Sequence, residues 1–191
     1  MKDIYVMRHG ETLFNYKLLL QGWCDAPLTP TGVKQAQAAG KYLLNQGLTL
    51  DHVYSSPSGR ALSTVAILGY SDQVVCLPDL REWCFGLFEG ESQKLFPHSF
   101  PYGDLLVPFH GESQDEVTTR IVKALNSIEQ EVKEDTTTLV VAHTCVMRLF
   151  MQSVANHSLA EVPQKIGNCG ILHFKVDNGV WQLVEVIEHN I

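Results

Sequence analysis

Three short apolar runs in this chain each give way to polar residues capable of chemistry, and that repeated pattern narrows the fold more than any other feature. Ile4-Tyr5-Val6-Met7 runs into Arg8-His9. Val53-Tyr54 runs into Ser55-Ser56-Pro57 with Arg60 just beyond, and the run from Thr138 to Ala142 ends at His143. Short β-branched runs bounded by turn residues are what buried strands of a parallel sheet look like. Helical periodicity fills the intervals. A helix is expected from Thr31 to Gln46, with Val33, Ala36, Leu43 and Leu44 on one side, and a shorter one from Arg60 to Leu68 closed by Gly69. From Glu112 to Lys133 the residues Val117, Ile121, Ala124, Ile128 and Val132 recur at helical spacing behind a Ser113-x-x-Glu116 capping box. Val146 to Val154 reads as a further buried helix. Ile171 to Val176, then Asp177-Asn178-Gly179, then Val180 to Ile187 reads as a β-hairpin.

Strand–helix alternation of this kind predicts an α/β fold: a three-layer αβα sandwich with a mostly parallel central sheet and helices on both faces. The 191 residues are expected to form one domain spanning 1–191. Between Gly90 and Gly111 no period is clear. Pro97, Pro101 and Pro108 there accompany Phe96, Phe100, Tyr102 and Phe109, so residues 91–110 are expected to be an irregular, aromatic-rich insertion that acts as a lid over the active site.

Charge and cysteine usage bound the partners. With 14 Lys and Arg against 21 Asp and Glu the net charge is −7, and no basic run is present, which argues against nucleic acid and anionic membranes as partners. Five cysteines, odd in number and without a C-x-x-C pair, argue against a disulfide framework or zinc knuckle and lead us to expect a cytoplasmic protein. Arg8 and His9 interrupt the only apolar run near the N-terminus, so no signal peptide is expected, and no stretch approaches a membrane span.

In open α/β sheets, ligands bind in the crevice outside the carboxyl ends of the strands. There Arg8 and Arg60 offer planar forks matched to phosphate oxygens. His9 and His143 offer a nucleophile, a base or a donor near neutral pH. Phosphoryl transfer demands little more than positioned positive charge, a nucleophile and a proton source. The segment from Leu80 to Gly90 supplies two candidate acids, Glu82 and Glu89.

Taken in order along the chain, these motifs resemble the histidine phosphatase superfamily, in its phosphoglycerate-mutase-like branch. Arg8-His9-Gly10-Glu11-Thr12 with Asn15 is similar to the first family motif. Gln21-Gly22-Trp23 with Asp25, Pro27-Leu28-Thr29 and Gly32 is similar to the family's next segment. Ser55-Ser56-Pro57 with Arg60-Ala61 and Thr64 resembles the second arginine motif, and Leu80-x-Glu82 with Phe85-Gly86 and Glu89-Gly90 the proton-donor segment. Gly111-Glu112-Ser113 with Arg120, and Val140-Val141-Ala142-His143, resemble the late motifs.

The resemblance implies that His9 attacks phosphorus to form phosphohistidine. It implies that Arg8, Arg60 and His143 surround the transferred group, and that Glu82 protonates the departing alcohol and later deprotonates water. Asn15, Gln21 and Gly22 are implied to line the phosphate and substrate entrance. The two guanidiniums are expected to lower the pKa of His9. Glu89 is read as a turn brace. Thr144 stands where most relatives have Gly and is expected to offer a hydroxyl to phosphate. Cys145 lacks the spacing of a cysteine phosphatase loop and reads as a packed thiol. Glu112 and Arg120 also read as an ordinary helix-start carboxylate and surface pair. His98 and His110 flank the insertion and are weighed as substrate contacts; His52, His157, His173 and His189 read as surface or packing residues.

The expected activity is therefore a metal-independent phosphatase, without cofactor, acting on a small phosphorylated metabolite through a phosphohistidine. Sugar phosphates, ribazole phosphate and phosphoglycerate all fit, with specificity expected in Leu13 to Leu20 and Glu91 to His110. One rival is a cofactor-dependent phosphoglycerate mutase, although this chain lacks the Tyr-Gly and Asn-Lys segment of those enzymes. The other is a non-catalytic phospholigand-binding protein, which would have no use for a proton donor. A zinc hydrolase lacks H-x-x-x-H spacing here.

Overall fold

The computed structural model describes residues 1–96, 100–154 and 165–189. Its centre is a six-stranded sheet. The strands are β1 (Lys2–Arg8), β2 (His52–Ser55), β3 (Val74–Cys76), β4 (Thr137–Ala142), β5 (Ile171–Asp177) and β6 (Val180–Ile187), in the order β3-β2-β4-β1-β5-β6. β1, β2, β3 and β4 pair in parallel, whereas β5 runs antiparallel to both β1 and β6. The sheet is thus mostly parallel, as the alternation predicts.

Side-chain alternation along the strands produces the layers. Ile4, Val6, Tyr54, Val140, Ala142, Leu172 and Phe174 point to one face and join the buried side chains of α4 (Gln114–Glu131) and α5 (Thr144–Val154). Tyr5, Met7, Val53, Leu139, Val141 and Ile171 point to the other, against α2 (Pro30–Asn45) and α3 (Gly59–Leu68). Strand side chains alternate with period two, so a run that is apolar throughout must be covered on both sides. That is the physical content of a three-layer αβα sandwich.

Local signals set the element ends. Thr29 accepts from the Gly32 N–H and Pro30 opens α2, one residue ahead of the expected start. Gly69, with φ 89°, closes α3 in the left-handed region that glycine adopts freely. Ser113 and Glu116 form the reciprocal capping box of α4. In the hairpin, Asn178 and Gly179 have φ 49° and 75°, the positive pair a two-residue type I′ turn demands.

Two features depart from the sequence expectation. β3 is a three-residue edge strand with two exposed side chains, too short and too open to show a pattern. A single helical turn, α1 (Leu13–Tyr16), is held by a Thr12–Asn15 capping box and has no buried residue. As expected, the segment after Gly90 is irregular: its described residues contain only isolated 3₁₀ turns, Gln93–Leu95 and Val107–Phe109, and Phe96 and Leu106 are buried in the core with Trp83 and Phe85. Among the described residues no helix is long and apolar enough to cross a membrane.

Candidate active site

Three parallel strands deliver their ends to one edge. The register aligns Arg8 with Ala142 and Ser55 with Val141, so the residues just past each strand emerge side by side. The His9 N–H donates to Ala142 O at 3.1 Å, locking the strand end that carries His9 to the one that carries His143. The two imidazoles lie 5.2 Å apart, centroid to centroid.

Each histidine has its tautomer fixed. His9 Nδ1 donates to its neighbour's carbonyl, Gly10 O, at 2.7 Å, which leaves Nε2 as the nitrogen with the free lone pair. Arg60 Nη2 donates to His143 Nδ1 at 3.1 Å, so the proton of neutral His143 sits on Nε2. Both rings are buried, and burial together with the charges of Arg60 and Arg8 holds both pKa values well below the ordinary histidine value. Burial is the larger cause; the guanidiniums, the cause expected from sequence, come second. Both histidines are therefore neutral at pH 7.

The arginines are held by backbone. Arg60 is 1% exposed and donates to Asp25 Oδ1, Cys24 O and Gly22 O at 3.0, 3.0 and 2.7 Å. Arg8 donates through Nη1 to Ile166 O at 2.7 Å. Gly22 is thus a floor residue behind Arg60. Its N–H is bound by Glu89 and its carbonyl by Arg60, and an added Cβ would strike Trp83 O.

Glu82 sits at the start of α5. Its carboxylate accepts from the backbone N–H groups of Trp83, Cys145 and Val146 at 2.9, 3.0 and 3.3 Å. Those three bonds and the charges of Arg60 and Arg120 favour the anion, but burial outweighs them and raises its pKa above the ordinary carboxylate value. Glu89 is different in kind: it accepts from the N–H groups of Gly22, Trp23, Cys24 and Phe85 and ties two loops together.

A cavity of about 250 Å³ opens onto Arg8, His9, Asn15, Gln21, Glu82, Thr144 and Cys145 on its polar side. Arg60 and His143 lie just behind it, almost fully buried. Five buried donors among these groups have no hydrogen-bond partner among the described residues: Arg8 Nε, Gln21 Nε2, Arg60 Nε, His143 Nε2 and the Thr144 hydroxyl. Unpaired buried donors are uncommon in folded proteins. Their concentration around His9 is the chemistry of an anion site. Among the described residues, no group of three or more His, Cys, Asp or Glu is arranged to hold a metal ion.

Other candidates fall outside this cluster. Cys145 lines the cavity, but burial and the adjacent Glu82 push its thiol well above the ordinary value, so no thiolate is available. His110 is exposed and does not reach the cavity. His173 stacks on Tyr5 and bonds to Asp3, as a packing residue does. His98 and His157 lie outside the described residues.

Two features escaped the sequence reading. Arg120 binds Glu112 through both Nε and Nη2 and donates to the carbonyls of Asp79, Arg81 and Glu82, clamping the loop that carries Glu82. The far end of that clamp is Glu112 itself, which accepts the Cys84 N–H at 2.8 Å. Asn168 donates from its amide to His9 O and to Asn15 Oδ1, joining the loop before β5 to the backbone of His9. Only a Gly167-Asn168-Cys169-Gly170 turn marked that loop in the sequence.

Comparison with known proteins agrees with this geometry. The model of the histidine phosphatase superfamily, branch 1, matches residues 4–189. A Proteus mirabilis protein named probable phosphoglycerate mutase GpmB is 31% identical over 193 residues, covering 95% of this chain and 88% of the relative. The solved structure of YhfR from Bacillus stearothermophilus is 29% identical with a TM-score of 0.83, covering 96% of this chain and 95% of that one. The structure of phosphoglycerate mutase from Bacillus anthracis strain Sterne is 26% identical, also with a TM-score of 0.83, over 95% and 91% of the two chains. With a family model spanning nearly every residue and a sheet edge built to hold an anion against His9, this chain belongs to the histidine phosphatase superfamily, branch 1.

Proposed function

We propose that the protein is a metal-independent phosphomonoesterase that hydrolyses a small organic phosphate through a phosphohistidine. The single observation that carries this reading is the ring of unpartnered donors around an imidazole whose Nε2 lone pair is free. Neutral His9 attacks phosphorus through Nε2 while the bond to the alcohol oxygen breaks. Arg8, Arg60, His143 Nε2–H and the Thr144 hydroxyl take up the charge on the non-bridging oxygens. Glu82, protonated at the outset, gives its proton to the departing oxygen. It then takes a proton from water, which attacks phosphorus and breaks the P–N bond, restoring His9 and the acid.

The raised pKa of Glu82 supports the acid role, because a carboxyl that holds its proton above the usual range is available to the first step. Residues 91–110 act as the lid of a single domain in this reading, and the five free cysteines favour the cytoplasm. The test is release of inorganic phosphate from a panel of metabolite esters with chelator present, coupled to acid quench and trapping of a phosphoprotein. Hydrolysis that vanishes in chelator, or that proceeds without a phosphoprotein at His9, would overturn it.

The names of the Proteus and Bacillus anthracis relatives favour a second reading, phosphoglycerate mutase. It requires the phosphoryl group to return to a substrate alcohol faster than water reaches it. Isomerisation of phosphoglycerate, stimulated by a bisphosphate primer and exceeding phosphate release, would establish it in place of the hydrolase.

A further inference from the structure

The remainder of the cavity wall narrows the substrate class of the proposed hydrolase, and that narrowing rests on the hydrolase reading. Beyond the phosphate-binding groups the lining is Leu19, Leu20, Phe85, Phe96 and Tyr102, with exposed Gln93 as the further polar side chain of that wall. The strip from Leu18 to Leu20 is bonded to residues 90–93 through the Leu20 N–H to Glu91 O, the Gly90 N–H to Leu20 O and the Gln93 N–H to Leu18 O. Phe96 and Tyr102 meet edge-to-face at 5.0 Å, and Phe96 meets Phe85 in the same way at 5.7 Å. Among the described residues Arg8 is the one Arg or Lys in the lining, and residues 97–99 and 155–164 contain neither type.

A phosphate group occupies Arg8. A carboxylate or second phosphate elsewhere on the substrate would then meet the neutral amides of Asn15, Gln21 and Gln93, an otherwise apolar wall and the Glu82 carboxyl, with no second Arg or Lys among the described lining residues, inside a protein of net charge −7. Burying a charge without an opposite charge beside it is unfavourable. A ring, by contrast, finds aromatic edges and faces of the kind it packs against. At about 250 Å³ the cavity lies at the small end of ligand sites, so it accommodates a phosphate and one ring-sized group. We propose that the site takes phosphate monoesters of small, uncharged alcohols with an apolar ring-sized body, and discriminates against esters whose alcohol carries a carboxylate or a further phosphate.

The test compares benzyl phosphate, glycerol 3-phosphate and 3-phosphoglycerate, all esters of alkyl alcohols, in chelator with the wild-type chain. Values of kcat/KM should fall in that order, with benzyl phosphate about tenfold above glycerol 3-phosphate and roughly a hundredfold above 3-phosphoglycerate. Calorimetry supplies a readout that needs no turnover: benzylphosphonate should bind about tenfold more tightly than 3-phosphonopropanoate. Gln93→Arg, a change at an exposed side chain, should raise the kcat/KM for 3-phosphoglycerate relative to glycerol 3-phosphate about fivefold by supplying the missing cation. Turnover of 3-phosphoglycerate at or above benzyl phosphate, or tighter binding of 3-phosphonopropanoate, overturns the proposal and leaves the hydrolase reading standing. A chain that hydrolyses none of the esters but still prefers benzylphosphonate loses the hydrolase reading and keeps the ligand class.

Discussion

The two walls of the cavity are made in different ways. The phosphate wall grows out of strand ends, and nearly every group in it is held by a backbone partner: His9 by Gly10, Arg8 by Ile166, Arg60 by Gly22 and Cys24, Glu82 by Trp83, Cys145 and Val146. Among the described residues the opposite wall has no regular element longer than a 3₁₀ turn, and it is held by aromatic packing around Phe96, Tyr102 and Phe85. Hydrogen bonds to backbone fix direction, whereas ring packing fixes volume and tolerates repacking. The proposed function therefore puts the chemistry in the wall that cannot shift, and substrate choice in the one that can.

The sharpest way to break this comparison is His9→Ala. Turnover should fall by ~10⁴-fold or more, with circular dichroism and melting unchanged, because among the described residues the ring bonds only its own neighbour's carbonyl. Substantial residual hydrolysis would move the nucleophile elsewhere. Next in size, Glu82→Gln should slow an alkyl ester by roughly 10²- to 10³-fold and p-nitrophenyl phosphate far less, since only the poor leaving group needs the proton. Equal slowing of both esters would remove Glu82 from the acid role.

The same pair of groups sets the pH profile. His9 acts neutral and its pKa lies well below the ordinary value, so activity should persist as pH falls through 6.5, where a free histidine would protonate. Glu82 acts protonated, so activity should decline as pH rises through its elevated pKa. An acidic optimum whose alkaline limb disappears in Glu82→Gln is the expected result.

A smaller effect is expected where a brace is removed without touching the reacting atoms. Glu89→Gln replaces an acceptor of four backbone N–H groups. It should lose about 2–3 kcal/mol of stability, seen as a drop in Tm of roughly 5–10 °C, while kcat at low temperature changes little. Smallest of all, Phe96→Leu in the deformable wall should raise KM for a ring-bearing ester about threefold and leave kcat nearly unchanged. A large kcat effect there would mean that the two walls are not separable.

What could be read from the sequence obeys the same division. β1, β2, β4 and the β5–β6 hairpin were legible because each carries an apolar pattern or a turn signal, and Arg8, His9, Arg60 and His143 because strand ends announce them. α4 was legible almost to its caps, Ser113 and Val132. β3 was not, since an edge strand with exposed valine and cysteine buries too little to show alternation. Nor was the grip of Arg120 on the carbonyls of Asp79, Arg81 and Glu82, 38 to 41 residues away, because carbonyl acceptors exist at every position and leave no compositional trace. Gly22 stood out by its motif alone. Its place behind Arg60 depends on Glu89 and Trp83 arriving from another part of the chain.

The run His143-Thr144-Cys145-Val146 reaches both partners of the proposed reaction at once. Its first ring lies beside His9, and its third and fourth amides hold the Glu82 carboxylate. In the proposed reaction the start of α5 therefore ties the acid to the imidazole beside His9, while the Arg120 clamp ties the loop of the same acid to α4. Lengthening the run from His143 to Val146 by a single residue would detach acid from imidazole while leaving every side chain of the machinery in the protein.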